Sequence, residues 1–316
     1  MARLVFLGTP PAAAVALDAL VRAGHDVALV VSRADTRRGR GVAHTPSPTK
    51  AVASDHGLEV TDRLEDVAAV RAELGVVVAY GRIIPRGILQ ALPMVNVHFS
   101  LLPRWRGAAP VERAVLAGDS ETGVCVMALE ETLDTGPVLA SQRVVIAEHE
   151  HASMLTSRLA ALGAQLLVDT LAPGTGALPA GSPQEGEPTY AEKVRPDELR
   201  LDWARPAEHL ERVVRLDRAW TTFRGERLLV LDAVARSAPD PFEALAPSDE
   251  PAPSDEQFGA VTGPGAAGGP WVHTAEGVLE LLDVQPAGKR RMPASAWWRG
   301  VRVAPGERFG SQELRR

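Results

Sequence analysis

Hydrophobic positions fall into short unbroken runs near the start of the chain, with spaced apolar stripes between them. Residues 3–7 (Arg-Leu-Val-Phe-Leu) predict a buried strand, Gly8-Thr9-Pro10 a turn, and the Ala-rich stretch 11–23, closed by Gly24, a helix. Apolar runs at 26–31, 76–80, 94–97, 124–129 and 138–146 predict further strands. Residues 64–74 predict a helix, Pro110 opens another that stops before Gly118, and 153–171 predict a long amphipathic one. Strands alternating with helices imply βαβ units, so residues 1–172 are expected to form an α/β domain, a Rossmann-like, mostly parallel sheet with helices.

The pattern changes after residue 172. Residues 173–189 are rich in Pro and Gly and carry no apolar period, which predicts a surface linker. From 190 to 316, a helix near 206–216 precedes short alternating segments near 226–234, 259–262, 271–274 and 278–284. Such spacing predicts a small C-terminal β-barrel (OB-like) domain, with Trp297-Trp298 packing it. Inside it, residues 239–257 carry six acidic and no basic side chains among many Pro and Ser, an acidic surface insertion.

A length of 316 residues suits two domains, because one core rarely serves more than about 250 to 300 residues. With 45% hydrophobic and 23% charged residues, a disordered, collagenous or coiled-coil body is excluded. No apolar run reaches the roughly 20 residues of a membrane-spanning helix and the N-terminus lacks a signal-peptide pattern, so a cytoplasmic location and no membrane partner are expected. Cys125, the single cysteine, excludes an internal disulfide and a multi-cysteine zinc site, and its strand position predicts a core residue, not a nucleophile. At a net charge of -6, any nucleic-acid contact must come from a local basic patch. The cations are 31 Arg and 3 Lys, and Asn96 is the single Asn; where rare letters persist, chemistry is worth seeking.

The dinucleotide fingerprint Gly-x-Gly-x-x-Gly is absent behind the first strand, and Gly288-Lys289 lacks both the earlier glycine and the following hydroxyl of a Walker A sequence. Hydride transfer and nucleotide hydrolysis lose support. His149-Glu150-His151 cannot present two imidazoles one helical turn apart, so a solvated loop is expected there, and no metal. Residues 96–110 read differently. They leave the C-terminal end of a predicted strand, where open α/β sheets place their active sites, and Asn96 and His98, two apart, face one side of it. An amide donor and an imidazole can thus converge on one reacting atom, unless they simply satisfy a polar sheet end. Asp134, in a Leu-Asp-Thr-Gly-Pro turn, is by itself an ordinary turn former; beside such a pair it is the natural group to orient or charge the imidazole.

In order along the chain, Leu7-Gly8-Thr9-Pro10, Gly39-Arg40-Gly41 with Thr45-Pro46-Ser47-Pro48-Thr49-Lys50, Val78-Ala79-Tyr80-Gly81, Asn96 through Pro110, Leu133-Asp134-Thr135-Gly136, Tyr190-Ala191-Glu192-Lys193 and Leu282 through Lys289 resemble the methionyl-tRNA formyltransferases. The resemblance implies that 10-formyltetrahydrofolate, as a co-substrate, donates its formyl group to the amino group of methionyl initiator tRNA, with no metal. It implies a catalytic set of Asn96, His98 and Asp134, with Asn and His stabilising the oxyanion and Asp holding the His in its useful protonation state. A folate site at Ser100, Leu101, Leu102, Pro103, Tyr80, Gly81 and Ile83 is implied too. Contacts to tRNA would come from Arg37, Arg38, Arg40 and Lys50 in the first loop and from Lys289, Arg290 and Arg291 in the C-terminal domain. A monomer is expected.

The chain also departs from that family. Gly8-Thr9-Pro10-Pro11-Ala12-Ala13 stands where Gly-Thr-Pro-Asp-Phe-Ala is usual, so an aromatic near the methionine pocket is missing. Phe99 stands where a small residue is usual, either occupying part of that space or packing under the sheet, and Trp220 lacks its usual proline neighbour. Two alternatives stay open: a sugar-nucleotide or other small-amine formyltransferase, which has no need of an Arg-rich loop, and a non-catalytic tRNA- or nucleotide-binding protein, which has no need of the triad.

Overall fold

A computed structural model of the chain describes residues 1–37, 44–237, 258–265, 267–303 and 307–310. Arg38, Arg40 and the acidic stretch 239–257 lie outside the described residues. The chain divides into two compact units. One comprises Met1–Ala114, Ser120–Ile146 and Met154–Lys193; the other comprises Val115–Asp119, Ala147–Ser153 and Val194–Arg316. No described helix is long and apolar enough to cross a membrane.

In the first unit, β1 (Arg3–Gly8) leads into α1 (Pro11–Arg22), which takes Pro11 at its first position, where a missing N–H costs nothing. β2 (Asp26–Val31) follows. Then β3 (Thr36–Arg37) and β4 (His44–Thr45) form a short antiparallel ladder ahead of α2 (Pro48–Asp55). Ser47 caps α2, its hydroxyl accepting the Lys50 N–H at 3.1 Å. The chain continues through β5 (Val60–Thr61), β6 (Leu74–Val78), α3 (Arg86–Ala91), β7 (Met94–His98), β8 (Arg106–Gly107), α4 (Pro110–Ala117), β9 (Glu121–Ala128), β10 (Val138–Val145) and α5 (Ala152–Leu171). Seven strands make one sheet in the order β10-β9-β7-β6-β1-β2-β5. It is mostly parallel, with β9 antiparallel to both β7 and β10.

Two expectations for this unit need correction. Residues 64–74 are not one helix but a 3-10 turn at Leu64–Ala69 followed by β6, which starts at Leu74, two residues earlier than expected. Every residue of β6 is buried, so its apolar run has no alternation by which the sequence could separate strand from helix. Nor is 173–189 a free surface linker. Ser182 and Val138 exchange N–H···O bonds of 2.9 Å, the Arg106 N–H donates to the Thr189 carbonyl at 2.8 Å, and β11 (Tyr190–Ala191) pairs in parallel with β8. Its polar backbone covers part of the edge strand β10, an edge that would otherwise present unpaired groups.

The second unit is built on an antiparallel sheet. β12 (Trp220–Phe223) and β13 (Glu226–Arg236) are joined by Arg224-Gly225, both at positive φ (51° and 76°), the conformation that a two-residue hairpin turn requires. With β14 (Val261–Pro264), β15 (Pro270–His273), β16 (Val278–Pro286) and β17 (Met292–Pro293), the order is β12-β13-β16-β15-β14, with β17 on β16. α6 (Ala207–Val214) and α7 (Ala294–Val301) cover its core, in which Trp203, Phe223, Trp297 and Phe309 pack with ring centroids 5.2 to 5.8 Å apart. Aromatic pairs of this kind contribute about 1 kcal/mol each beyond the area they bury. β12 and β17 had no counterpart among the expected strands, being too short for their alternation to register.

Of the His149-Glu150-His151 run, His149 lies in an exposed turn, as expected, whereas the His151 side chain is only 17% exposed. Within the second unit, His149 pairs with Glu211, and His151 bonds Asp217 at 2.9 Å while facing Asp232 at 3.7 Å. Apposition to Asp217 holds the His151 imidazole above its ordinary titration range, against the opposing effect of partial burial.

Candidate active site

β7 is central to the site because its two faces carry different chemistry. A Cβ on Gly163 of α5 would meet Val97, Val124 and Phe99, so the odd positions of β7 face that helix, and it can approach because residue 163 is glycine. Phe99 thus packs under the sheet rather than in a pocket. Asn96 and His98 point to the other side, in register with Met127 and Cys125 of β9. Cys125 is a buried core residue whose thiol is pushed up by burial, out of the range of a nucleophile.

Asn96, His98 and Asp134 are 9%, 5% and 8% exposed, so charge in this site meets little water. The His98 Nε2 lies 2.9 Å from the Trp105 carbonyl oxygen. A carbonyl only accepts, so Nε2 carries a hydrogen, and the tautomer this selects has its lone pair on Nδ1. Nδ1 lies 3.7 Å from Asp134 Oδ2, beyond hydrogen-bond range, so the carboxylate acts on the ring as a charge. The same Oδ2 accepts the Gly107 N–H at 2.8 Å. Asp134 itself sits at φ 50°, and a Cβ on Gly136 would fall 1.9 Å from the Ala128 carbonyl oxygen, which is why this turn closes on glycine. The Asn96 carboxamide has no hydrogen-bond partner among the described residues, and its N–H groups stay available to a ligand.

Around this set stand the residues expected to hold a folate. Ser100 is fully buried and donates to the Arg104 carbonyl at 2.6 Å, so it shapes the turn that carries Leu101, Leu102 and Pro103, all partly exposed. The Leu102-Pro103 peptide is cis. Tyr80 packs into the core beside Val5, Leu7 and Ile84, with burial raising its phenol, so its ring offers no surface to a ligand. Gly81, at φ 70°, turns its carbonyl to Arg33 Nη2 at 2.6 Å, whereas Ile83 is 88% exposed.

Residues 2–171 match the formyl transferase family, and residues 193–302 match the formyl transferase C-terminal domain. The chain is 44% identical over 315 residues to methionyl-tRNA formyltransferase of Clavibacter sepedonicus, covering 95% of this chain and 97% of that one. It belongs to the methionyl-tRNA formyltransferase family. The enzyme of that name from Halorhodospira halophila is 43% identical over 317 residues, covering 97% of this chain and 98% of that one. HypX from Aquifex aeolicus, solved in complex with tetrahydrofolic acid, shares the fold at a TM-score of 0.61 and 14% identity over 94% of this chain; the chain spans about half, 47%, of that larger protein.

The methionyl-tRNA formyltransferase resemblance also named cations for tRNA. The backbone of Arg37 lies in β3. Lys50 is not a free surface cation: its Nζ pairs with Asp35 at 2.9 Å and its side chain is 17% exposed. Lys289, Arg290 and Arg291 are exposed beyond β16, with Arg291 paired to Asp283. Among the described residues no group of three His, Cys, Asp or Glu could hold a metal ion. Sequence reasoning missed Trp105, whose carbonyl fixes the His98 tautomer, and Gly107, whose N–H holds Asp134. Both act through backbone atoms, for which side-chain identity carries no signal.

Proposed function

We propose that this chain transfers the formyl group of 10-formyltetrahydrofolate to the α-amino group of methionine on initiator tRNA, with Asn96, His98 and Asp134 as its catalytic residues. The observation that carries the reading is the convergence of those three buried side chains at the end of β7, in a formyltransferase chain of this family. In the reaction, the amine nitrogen bonds to the formyl carbon and the carbonyl oxygen takes up negative charge. Collapse of that oxyanion breaks the bond to N10, and the proton lost by the amine ends on N10.

Two demands follow, donors for the oxyanion and a carrier for the proton. The unpartnered Asn96 amide supplies the first, an interaction commonly contributing about 3 to 4 kcal/mol in the transition state. His98 Nδ1, holding the lone pair, accepts the amine proton, and the imidazolium formed has an N–H not spent on Asp134, free to bond the oxyanion or return the proton. Asp134 compensates the ring's transient charge. The Leu101–Pro103 turn and the exposed Ile83 line the folate side, and the basic residues around 37–40 and 289–291 serve the tRNA phosphates.

The test is formyl transfer by purified protein from 10-formyltetrahydrofolate, with methionyl initiator tRNA, methionyl elongator tRNA and a 4-amino sugar nucleotide as parallel acceptors. Product on the initiator tRNA alone is expected. Product on the sugar alone would keep the chemistry and overturn the acceptor, and no product on any acceptor would overturn both.

A further inference from the structure

Gln184 lies between residues 171 and 193, a stretch outside both family matches. Its flanks, Pro183, Glu185 and Gly186, are exposed, yet its half-buried carboxamide is fully used. Nε2 donates to the carbonyl oxygens of Asp134 and Gly136, each at 2.8 Å, while Oε1 accepts from Nε and Nη2 of Arg106 at 3.0 and 2.6 Å. A primary amide has two N–H donors and one oxygen with two lone pairs, so all four positions are filled.

The partners of Gln184 are the Asp134 and Gly136 carbonyls on one side and the Arg106 guanidinium on the other, and they belong to the two segments that contact the His98 ring. Arg106 lies between Trp105, whose carbonyl fixes the ring tautomer, and Gly107, whose N–H holds the Asp134 carboxylate. On the other side, Asp134 sits at φ 50°, a left-handed turn conformation that Asp tolerates, and its carbonyl and that of Gly136 both accept from Gln184 Nε2, which ties the two ends of the turn together. We infer that Gln184 is a positioning residue for formyl transfer: its carboxamide clamps the Asp134–Gly136 turn to Arg106 and thereby fixes the Asp134 carboxylate against His98. The inference rests on the catalytic reading of Asp134 given above. The segment has other attachments, the paired bonds between Ser182 and Val138 and the Thr189 hydroxyl accepting the Trp105 N–H at 2.8 Å. Removing the carboxamide therefore leaves the segment in place and loosens only the turn.

The experiment compares the full-length parent with Gln184→Ala, Gln184→Glu, Asp134→Asn and the Gln184→Ala/Asp134→Asn double variant in single-turnover and steady-state formylation. Gln184→Ala is expected to lower kcat by about ten- to a hundredfold, with KM for donor and for tRNA within about twofold and a single cooperative thermal transition at a modestly lower midpoint. Gln184→Glu keeps the size and the acceptor for Arg106 but cannot donate to the two carbonyls, so it should lose as much as Gln184→Ala; it also carries the comparison if Gln184→Ala fails to fold. In the Asp134→Asn background, Gln184→Ala should cost less than about twofold, because the charge it positions is already gone. Parent-like turnover of Gln184→Glu, an equal loss in both backgrounds, or a loss confined to KM would overturn the inference while leaving Asp134 in its role. Near-normal turnover of Asp134→Asn by itself would overturn the catalytic reading, and the inference with it.

Discussion

Asp134→Asn isolates a single quantity, the carboxylate charge beside His98. Asn keeps the size of the side chain, and its Oδ1 can accept the Gly107 N–H that Asp134 Oδ2 now accepts at 2.8 Å, turning the new amide group away from the ring. The backbone bond from Gln184 is untouched. What disappears is a negative charge 3.7 Å from Nδ1, between side chains only 5% and 9% exposed. At an effective dielectric near 20, two unit charges at that separation attract by about 4 kcal/mol. In the proposed reaction the ring takes up charge as it accepts the amine proton, and the Gly107 dipole already takes up part of the carboxylate's field. If about half of the attraction reaches the transition state, roughly 2 kcal/mol is lost, which lowers the rate about thirtyfold. The full value would give about a thousandfold, the ceiling for this mechanism. Single-turnover formylation at saturating donor measures the chemical step directly, and circular dichroism checks the fold. A rate within about threefold of the parent would mean that Asp134 does not act on His98 through its charge.

Asn96→Ala removes the unpartnered donor and should lower kcat by about a hundredfold or more with the folate KM little changed, measured by the same assay. Gly136→Ala drives a Cβ to 1.9 Å from the Ala128 carbonyl oxygen, so urea denaturation should show a loss of about 3 kcal/mol or more. The His151 contact predicts a pH-dependent stability. The folded His151 titrates above its unfolded range because of Asp217, so the stabilisation is fully present below pH about 6.5 and is lost as the pH rises through the folded value. Thermal midpoints of the parent and His151→Gln should therefore differ most near pH 6 and converge toward alkaline pH; a constant gap would contradict the assignment.

Two parts of this molecule were legible in the sequence for a local reason. The sheet came from apolar runs, and the pairing of Asn96 with His98 came from the period of two in an extended strand, which puts both on one face whatever surrounds them. Phe99 shows the same rule from the other side, since its odd position in this register assigns it to the α5 face. Asp134 was found because turn chemistry is also local, although what draws it toward His98 is a contact across 36 residues that no spacing reveals. Where reading failed, burial had erased the pattern or distance had hidden the partner. Uniform burial of β6 removed its alternation, and the pairing of Lys50 with Asp35 is a contact that no local pattern announces.

Residues 173–189 show most clearly why composition misleads. Pro, Gly, Ser and Gln without apolar period describe a segment that cannot build a core, and that much is correct, because almost every residue from 181 to 189 keeps solvent contact. A segment with no core of its own can still be held by polar bonds to an edge strand and to backbone carbonyls, and those bonds depend on groups that every residue carries. Gln184 differs from a solvated glutamine in one respect: Asp134, Gly136 and Arg106 present two acceptors and a guanidinium at the spacing of one carboxamide. That coincidence exists only after β7, β9 and β10 have paired, so the signal for it lies in the sheet register and not in the segment. A polar, uncovered stretch next to an α/β active site is therefore best judged by what the edge strand and the catalytic turn leave unpaired.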